Sequence, residues 1–351
     1  MLLTITAADA LARLDEFSTL IDARSPSEFA EDCLPGAVNW PTLDDEQRRL
    51  VGTEYKQVSA FVAKKRGAAL AARNIAAHIE RDVLDKPKEW RPLVYCWRGG
   101  SRSNSLALVL DQIGFRVHRL DGGYQHYRRA VIGALDTLPQ QLQYRAICGT
   151  TGSGKSRLLQ VLRAQGAQVI DLEALANHRG SVLGLVPGER QPGQKQFESR
   201  LWDTLRRLDP ARPVFIESES KKVGDLRVPP ALIERMRAAP CLQLELALDA
   251  RVALLNDEYD YFVRDTEAFC ARLDALRTAR GNAPVDAWQQ AARVGRTAQV
   301  VRELLLDHYD PIYLASMTRN FAGIAAPLRV LQWDGSAATL AAAAAQAIAA
   351  G

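Results

Sequence analysis

The chain has 351 residues, enough for two domains that each bury a core. Apolar residues make up 47% and charged residues 25%, which places it with ordinary globular proteins rather than disordered or fibrous ones. A net charge of +4 permits a polyanionic partner without demanding one. No charged, apolar and small-residue leader opens the chain, and no stretch reaches the roughly 18 apolar residues of a membrane span. The Ala-rich tail, 337–350, is expected to be a helix packed on a neighbour. Five cysteines, an odd number without a Cys-x-x-Cys pair, argue against a disulfide framework and a zinc site; a cytoplasmic protein with no membrane partner is expected.

In chain order, a short strand is expected over 20–23, a helical turn over 26–31 and a second strand over 37–40. A long helical stretch rich in Ala, Lys and Arg follows over 54–84, inside an insertion of about 44–88. Residues 93–96 form a buried strand that runs into Cys96-Trp97-Arg98-Gly99-Gly100-Ser101-Arg102-Ser103. Leu106, Leu110 and Ile113 recur at helical spacing, and Gly114 stands where a helix C-terminal cap would. A strand over 117–120 leads to Asp121-Gly122-Gly123 and a basic helix, and 137–143 is the best linker.

The alternation then restarts. Strands are expected over 144–148, 168–172, 213–217 and 241–248, with helices over 155–165, 194–208 and 230–238. From about 251 only helical periodicity remains. Strands alternating with helices make this an α/β chain with parallel sheets covered on both faces. The domains are expected at 1–136 and 137–351.

A cysteine at a strand end, followed by glycines and a helix, points its sulfur toward backbone N–H groups that favour an anion. Arg98 and Arg102 would add positive charge, and Gly99, Gly100 and Ser101 complete the loop around the nucleophile Cys96. Cys148, Cys241 and Cys270 fit the usual fate of a buried free thiol. Residues 21–29, 34–39 and 120–123 around this loop resemble three signatures of the rhodanese family of sulfurtransferases. Two features depart from it: Cys33 stands where that family usually has His, and the loop runs Cys-x5-Arg, one residue longer than is common. The longer spacing is used by a related phosphatase branch to wrap a tetrahedral phosphate, so it would suit a phosphate-bearing chalcogen donor.

Gly149-Thr150-Thr151-Gly152-Ser153-Gly154-Lys155-Ser156 follows an expected strand and opens an expected helix, the setting of a phosphate-binding P-loop. Its glycines let consecutive N–H groups converge on phosphate oxygens, and Lys155 would neutralise the terminal phosphate. Ser156 and Glu217 could hold magnesium if the ion binds. The second apolar strand ends in Glu217-Ser218-Glu219 rather than the aspartate usual in an ATPase, and a diphosphate alone would satisfy the cradle. Asp171, Glu173, His178 and Arg179 stand at or just beyond a strand's carboxyl end, where such sheets line their ligand crevice.

A rhodanese-like domain, this P-loop, and the runs 171–181, 191–198 and 217–220 together resemble the tRNA 2-selenouridine synthase family, as do 51–57 and 307–313. The fold implied is an N-terminal rhodanese-like parallel-sheet domain, then a P-loop NTPase-like α/β domain with a helical C-terminal region. The resemblance implies a tRNA with a 2-thiolated wobble uridine as partner, and geranyl diphosphate and selenophosphate as co-substrates, without a tightly bound cofactor. Its reactions would be S-geranylation of 5-methylaminomethyl-2-thiouridine, with the P-loop on the allylic diphosphate, and exchange of sulfur for selenium. Cys96 would accept selenium from selenophosphate, and selenophosphate synthetase would be a further partner. Among the surfaces left to hold tRNA are the helical insertion and the C-terminal helices. The competing readings are a small-molecule kinase with a rhodanese-like module, an ATP-dependent sulfurtransferase, a phosphatase using the Cys-x5-Arg loop, and a binding-only tRNA protein.

Overall fold

The computed structural model describes residues 2–178, 190–259 and 265–350. The chain divides into two compact units: Met1–Ala134 with Gly193–Asp203, and Leu135–Pro192 with Thr204–Gly351.

The first unit runs β1 (Leu3–Ile5), α1 (Ala7–Ala12), β2 (Thr19–Asp22), α2 (Pro26–Glu31), β3 (Val38–Asn39), α3 (Asp45–Gln57), α4 (Ala60–Asp82), β4 (Pro92–Tyr95), α5 (Ser101–Ile113), β5 (His118–Leu120) and most of α6 (Gly123–Thr137). Its strands pair in parallel in the order β1-β5-β4-β2-β3. Ile21, Val94, Leu106, Leu110 and Val117 fill one side of the sheet with Trp90 and Trp40. Gly114 ends α5 with φ 112°, a left-handed conformation that suits a residue without Cβ.

The helical stretch expected over 54–84 is two helices. Helix α3 starts earlier, at a reciprocal cap between Asp44 and Gln47. The chain turns at Val58 and Ser59, whose hydroxyl accepts from the Phe61 N–H at 3.2 Å and opens α4. Close packing holds the hairpin: a Cβ on Gly67 would lie 3.3 Å from Val51, Arg66 pairs with Glu54 at 3.0 Å, and Asn74 donates to Gln47 at 2.7 Å. Its base is anchored where Asn74 donates to the Thr42 carbonyl at 3.1 Å and the His78 ring stacks on Trp40.

The second unit contains β6 (Gln143–Cys148), α7 (Lys155–Ala164), β7 (Gln168–Ile170) and α8 (Leu172–Ala176). Helix α9 (Gln194–Arg206) places its first ten residues with the first unit, where Ser199 donates to Asp32 at 3.0 Å and Lys195 pairs with Glu31 at 2.6 Å. After it come β8 (Pro213–Glu217), β9 (Lys222–Val223), β10 (Leu226–Arg227), α10 (Pro230–Ala238), β11 (Cys241–Glu245) and α11 (Leu248–Glu258). The segment 137–143, the expected linker, is regular structure: α6 runs to Thr137, a 3-10 turn covers Leu138–Gln141, and β6 starts at Gln143.

The expectation of helices alone beyond 251 is corrected by β12 (Arg329–Gln332), which pairs in parallel with β11 and completes the order β12-β11-β6-β8-β7. Only Leu331 of its four side chains is buried, so this edge strand shows no alternation that a periodicity could detect. The terminal helix Ala337–Ala350 buries Leu340, Ala343, Ala344 and Ala347 in one cluster with Leu158, Leu162 and Trp333. Among the described residues no helix is long and apolar enough to cross a membrane.

Candidate functional site

Strand β4, buried at all four positions, lies at the centre of the first sheet and delivers Cys96 at its carboxyl end. The loop turns back at Gly99 (φ 65°), and Gly100 leads into α5. Here the Asp121-Gly122-Gly123 run finds its physical reason. Tyr124 N–H donates to the Cys96 carbonyl at 2.8 Å and Gln125 N–H to the Trp97 carbonyl at 3.1 Å. A Cβ on Gly123 would collide with that same Cys96 carbonyl. The Trp97 ring stacks on Tyr124, with centroids 5.4 Å apart.

The Cys96 sulfur is buried and lies 3.1 Å from the hydroxyl of Ser103, which in turn donates to the Gly100 carbonyl at 3.3 Å. Ser103 was not among the expected site residues; its signal was its place in the first turn of the helix that follows the thiol. Arg102 reaches Glu28 with bonds of 2.5 and 3.2 Å, so its charge arrives already paired. Burial would lift the Glu28 carboxyl, but the hydrogen bond and charge of Arg102 outweigh it and hold the group below the usual carboxylate range. Arg98 is exposed and donates to Gln125 at 3.2 Å, and Ser101 begins α5 on the exposed side.

Cys33 is half-buried, and its thiol is pushed up to about 11 by burial and then by the carboxylates of Asp32 and Asp22. It is therefore a poor nucleophile near neutrality. Beside it, Arg24 is fully enclosed: it pairs with Asp22 at 2.6 Å, donates to the Asp32 carbonyl at 2.6 Å, and lies 4.0 Å over the Tyr124 ring. The first signature thus builds the floor beneath the loop.

In the second unit, β6 ends in buried Ala146, Ile147 and Cys148 and releases the P-loop at Gly149. Gly152 and Gly154 take φ of 74° and 88°. Three later elements clamp the loop. Arg251 in α11 donates to the Thr151 carbonyl at 2.9 and 2.6 Å and pairs with Asp310 at 2.6 Å. Tyr313, in the helix Asp310–Asn320, accepts from the Gly149 N–H at 2.8 Å and lies 3.0 Å from the Ser218 hydroxyl. Trp333, just past β12, donates to the Ser153 carbonyl at 2.9 Å and occupies the space that a Cβ on Gly154 would need. Sequence reasoning did not single out these residues: Asp310 and Tyr313 stood inside a family run without a role, and Arg251 looked like any helical cation.

Lys155 Nζ donates to the Gly149 carbonyl at 2.8 Å and sits 5.2 Å from the centre of the Tyr313 ring. Burial opposes its charge, but Tyr313 and the carboxylates of Glu173, Glu219 and Glu217 more than offset this and keep the ammonium protonated. Those three carboxylates offer oxygens within 4.8 Å of one another. Ser156 donates to Glu173 at 2.8 Å. Glu217 is fully buried; one oxygen accepts from the Glu173 N–H at 2.9 Å, at the start of α8, and the other has no hydrogen-bond partner among the described residues. Burial, then the neighbouring carboxylates, pushes the Glu217 carboxyl well up and that of Glu219 up to about 8. Burial also raises Glu173 and Asp171, whose side chain accepts from the Ala174 N–H at 2.8 Å. Crowded carboxylates beside a hydroxyl form a hard oxygen donor set of the kind magnesium takes, and the second Glu217 oxygen fits a role as a cation ligand.

These groups open on a cavity of about 1000 Å³, lined by Thr151, Gly152, Gly154, Lys155, Ser156, Asp171, Glu173, His178 and Glu219 on its polar part. Its apolar part comes from Leu255, Tyr259, Tyr309, Ile312, Met317 and Phe321. The spacing 309, 312, 313, 316, 317 presents one helical face to it. His178 is buried, burial lowers its pKa, and its Nδ1 has no hydrogen-bond partner among the described residues. Arg179 lies outside the described residues.

Comparison with known proteins gives two matching families: residues 6–130 match the rhodanese-like domain, and residues 142–283 match the tRNA 2-selenouridine synthase AAA domain. A tRNA 2-selenouridine synthase of Marinobacter nauticus is 32% identical over 335 residues, 86% of this chain and 89% of that protein. One from Alcanivorax borkumensis is 30% identical over 333 residues, 86% of this chain and 90% of the relative. One from Nitrosomonas europaea is 36% identical over 246 residues, covering 68% of this chain and 63% of that protein.

Proposed function

Because the chain belongs to the tRNA 2-selenouridine synthase family, we propose that it converts the 2-thiolated wobble uridine of tRNA to 2-selenouridine in two steps. The first is S-geranylation with geranyl diphosphate, and the second is exchange of the geranylthio group for selenium from selenophosphate. The observation that carries this reading is the mixed lining of one cavity, a phosphate cradle around Lys155 beside the apolar wall of Tyr309, Ile312, Met317 and Phe321. An allylic diphosphate needs both.

In the first step the 2-thio sulfur attacks the allylic carbon; a carbon–sulfur bond forms, the carbon–oxygen bond breaks, diphosphate leaves and the N3 proton of the base is released. Lys155 and the loop N–H groups at the start of α7 would bind the leaving group as its charge grows. The apolar wall would keep water from the allylic carbon. Glu173, Glu217, Glu219 and Ser156 would hold a magnesium ion, which when bound supplies positive charge for the diphosphate oxygens.

Alkylation turns a poor leaving group into a better one. Selenium in selenophosphate is already at the level of selenide, so its exchange at C2 requires no outside oxidant or reductant. The carbon–selenium bond forms and the carbon–sulfur bond breaks, geranylthiol departs with a proton, and water cleaves the phosphorus–selenium bond so that the phosphoryl group leaves as inorganic phosphate. Cys96, hydrogen-bonded to Ser103, is the group equipped to engage the selenium donor.

The test is Lys155→Ala. Geranylation should stop, and with it selenation of 2-thiolated tRNA, while pre-geranylated tRNA should still be selenated by the same variant. No step should require ATP. A strict need for ATP, or failure of geranylated tRNA to rescue a folded variant, would favour a kinase-type activity instead.

A further inference from the structure

The α3–α4 hairpin is anchored at its base by Asn74 and His78, yet its far end carries an apolar cluster that no core covers. Tyr55, Val58 and Phe61 are 57%, 70% and 68% exposed, within seven residues of one another at the turn. Large apolar side chains gathered on a surface mark an interaction site rather than a packing accident. The charge around them has one sign. Residues 54–66 hold Lys56, Lys64, Lys65 and Arg66 against the single carboxylate of Glu54, and Glu54 is paired with Arg66. The three lysines are exposed and make no ion pair among the described residues. Helical spacing puts Phe61, Lys64 and Lys65 on one face, with Lys65 Nζ 5.0 Å from the Phe61 ring.

We propose that this hairpin tip is the surface on which tRNA docks, with Tyr55 and Phe61 stacking on unpaired bases of the anticodon loop and the three lysines contacting the flanking phosphates. The proposal rests on the reading of tRNA as substrate. Single-stranded loops are recognised by stacking on aromatic rings, and phosphates by lysines beside them; the tip offers both within two helical turns. A second copy of the chain is a poorer occupant, because a two-fold contact would set lysines against lysines.

The experiment uses the full chain and three forms: the parent, a Tyr55→Ala/Phe61→Ala variant and a Lys64→Gln/Lys65→Gln variant. Binding of 2-thiolated tRNA is measured across a salt titration, with thermal unfolding, inorganic diphosphate binding and sedimentation as controls. The aromatic variant should bind tRNA at least about tenfold more weakly at every salt concentration. The lysine variant should weaken binding and flatten the salt slope by about 1 to 2. Diphosphate binding and unfolding should not change, since all four side chains are exposed. Parent-like affinity and slope in both variants would overturn the proposal, as would loss of a parent dimer in either one. A parent that fails to bind tRNA at all would remove the functional reading, and this surface with it.

Discussion

Ser103 stands 3.1 Å from the Cys96 sulfur, and its other neighbour is the Gly100 carbonyl. That places a hydroxyl able to exchange a hydrogen bond with the thiol as its charge changes. Cys96→Ser should abolish selenium incorporation while geranylation persists. Ser103→Ala should slow selenation about tenfold, the value of one hydrogen bond to a charged group, and leave geranylation untouched. Mass analysis of wobble nucleosides from single-turnover reactions reads both products. Cys33 offers the contrast: with its thiol held at about 11 it should be dispensable, and Cys33→Ala should keep selenation within about twofold of the parent. A large loss there would give the second thiol a chemical role.

Among the elements, the terminal helix couples the sheet edge to the P-loop, since Leu340 and Ala344 share a cluster with Leu158 and Trp333. Asp334, in the turn that leads into it, accepts from the Thr339 hydroxyl at 2.6 Å and the Ser336 N–H at 2.9 Å. These bonds, the Thr339 one first, lower the Asp334 carboxyl to about 2. A carboxyl depressed in the folded state contributes stability above its unfolded pKa of about 4 and loses it as pH falls through its folded value. Asp334→Asn should therefore lower the urea midpoint at pH 6, and the gap to the parent should narrow between about pH 4 and about pH 2. A gap constant over that range would mean that the charge of Asp334 contributes nothing to the cap.

For the molecule as a whole, a net charge of +4 spread over 351 residues is too small to attract a polyanion everywhere. Affinity for tRNA must come from local clusters that displace counterions, and should fall at least about tenfold between about 50 and 200 mM salt. A dissociation constant that ignores salt would argue against electrostatic recognition. The thiol loop and the P-loop belong to different units, each with its own parallel sheet and each loop at the carboxyl end of a central strand. Under the proposed function, that division is why Lys155 and Cys96 variants should fail at different steps.

Both loops were legible in the sequence because their chemistry is local: Cys96 to Ser103 and Gly149 to Ser156 are contiguous, and a loop's backbone is set by its own glycines. Most strands and helices were legible for the same reason, through spacing that one element carries by itself. Long-range partners were not. β1 and β12 have three and four residues and become strands only by pairing with β5 and β11. The break at Val58 and Ser59 lay hidden in a largely helix-forming run, and it is the contacts between the two helices, Gly67 on Val51, Arg66 with Glu54 and Asn74 with Gln47, that fold it back. Arg251, Tyr313 and Trp333 reach the P-loop from about 100 to 180 residues away. The sequence by itself determined where the two candidate loops lie and which side chains they present; the tertiary structure decided what holds them in place, because burial and cross-chain hydrogen bonds exist only once distant segments meet.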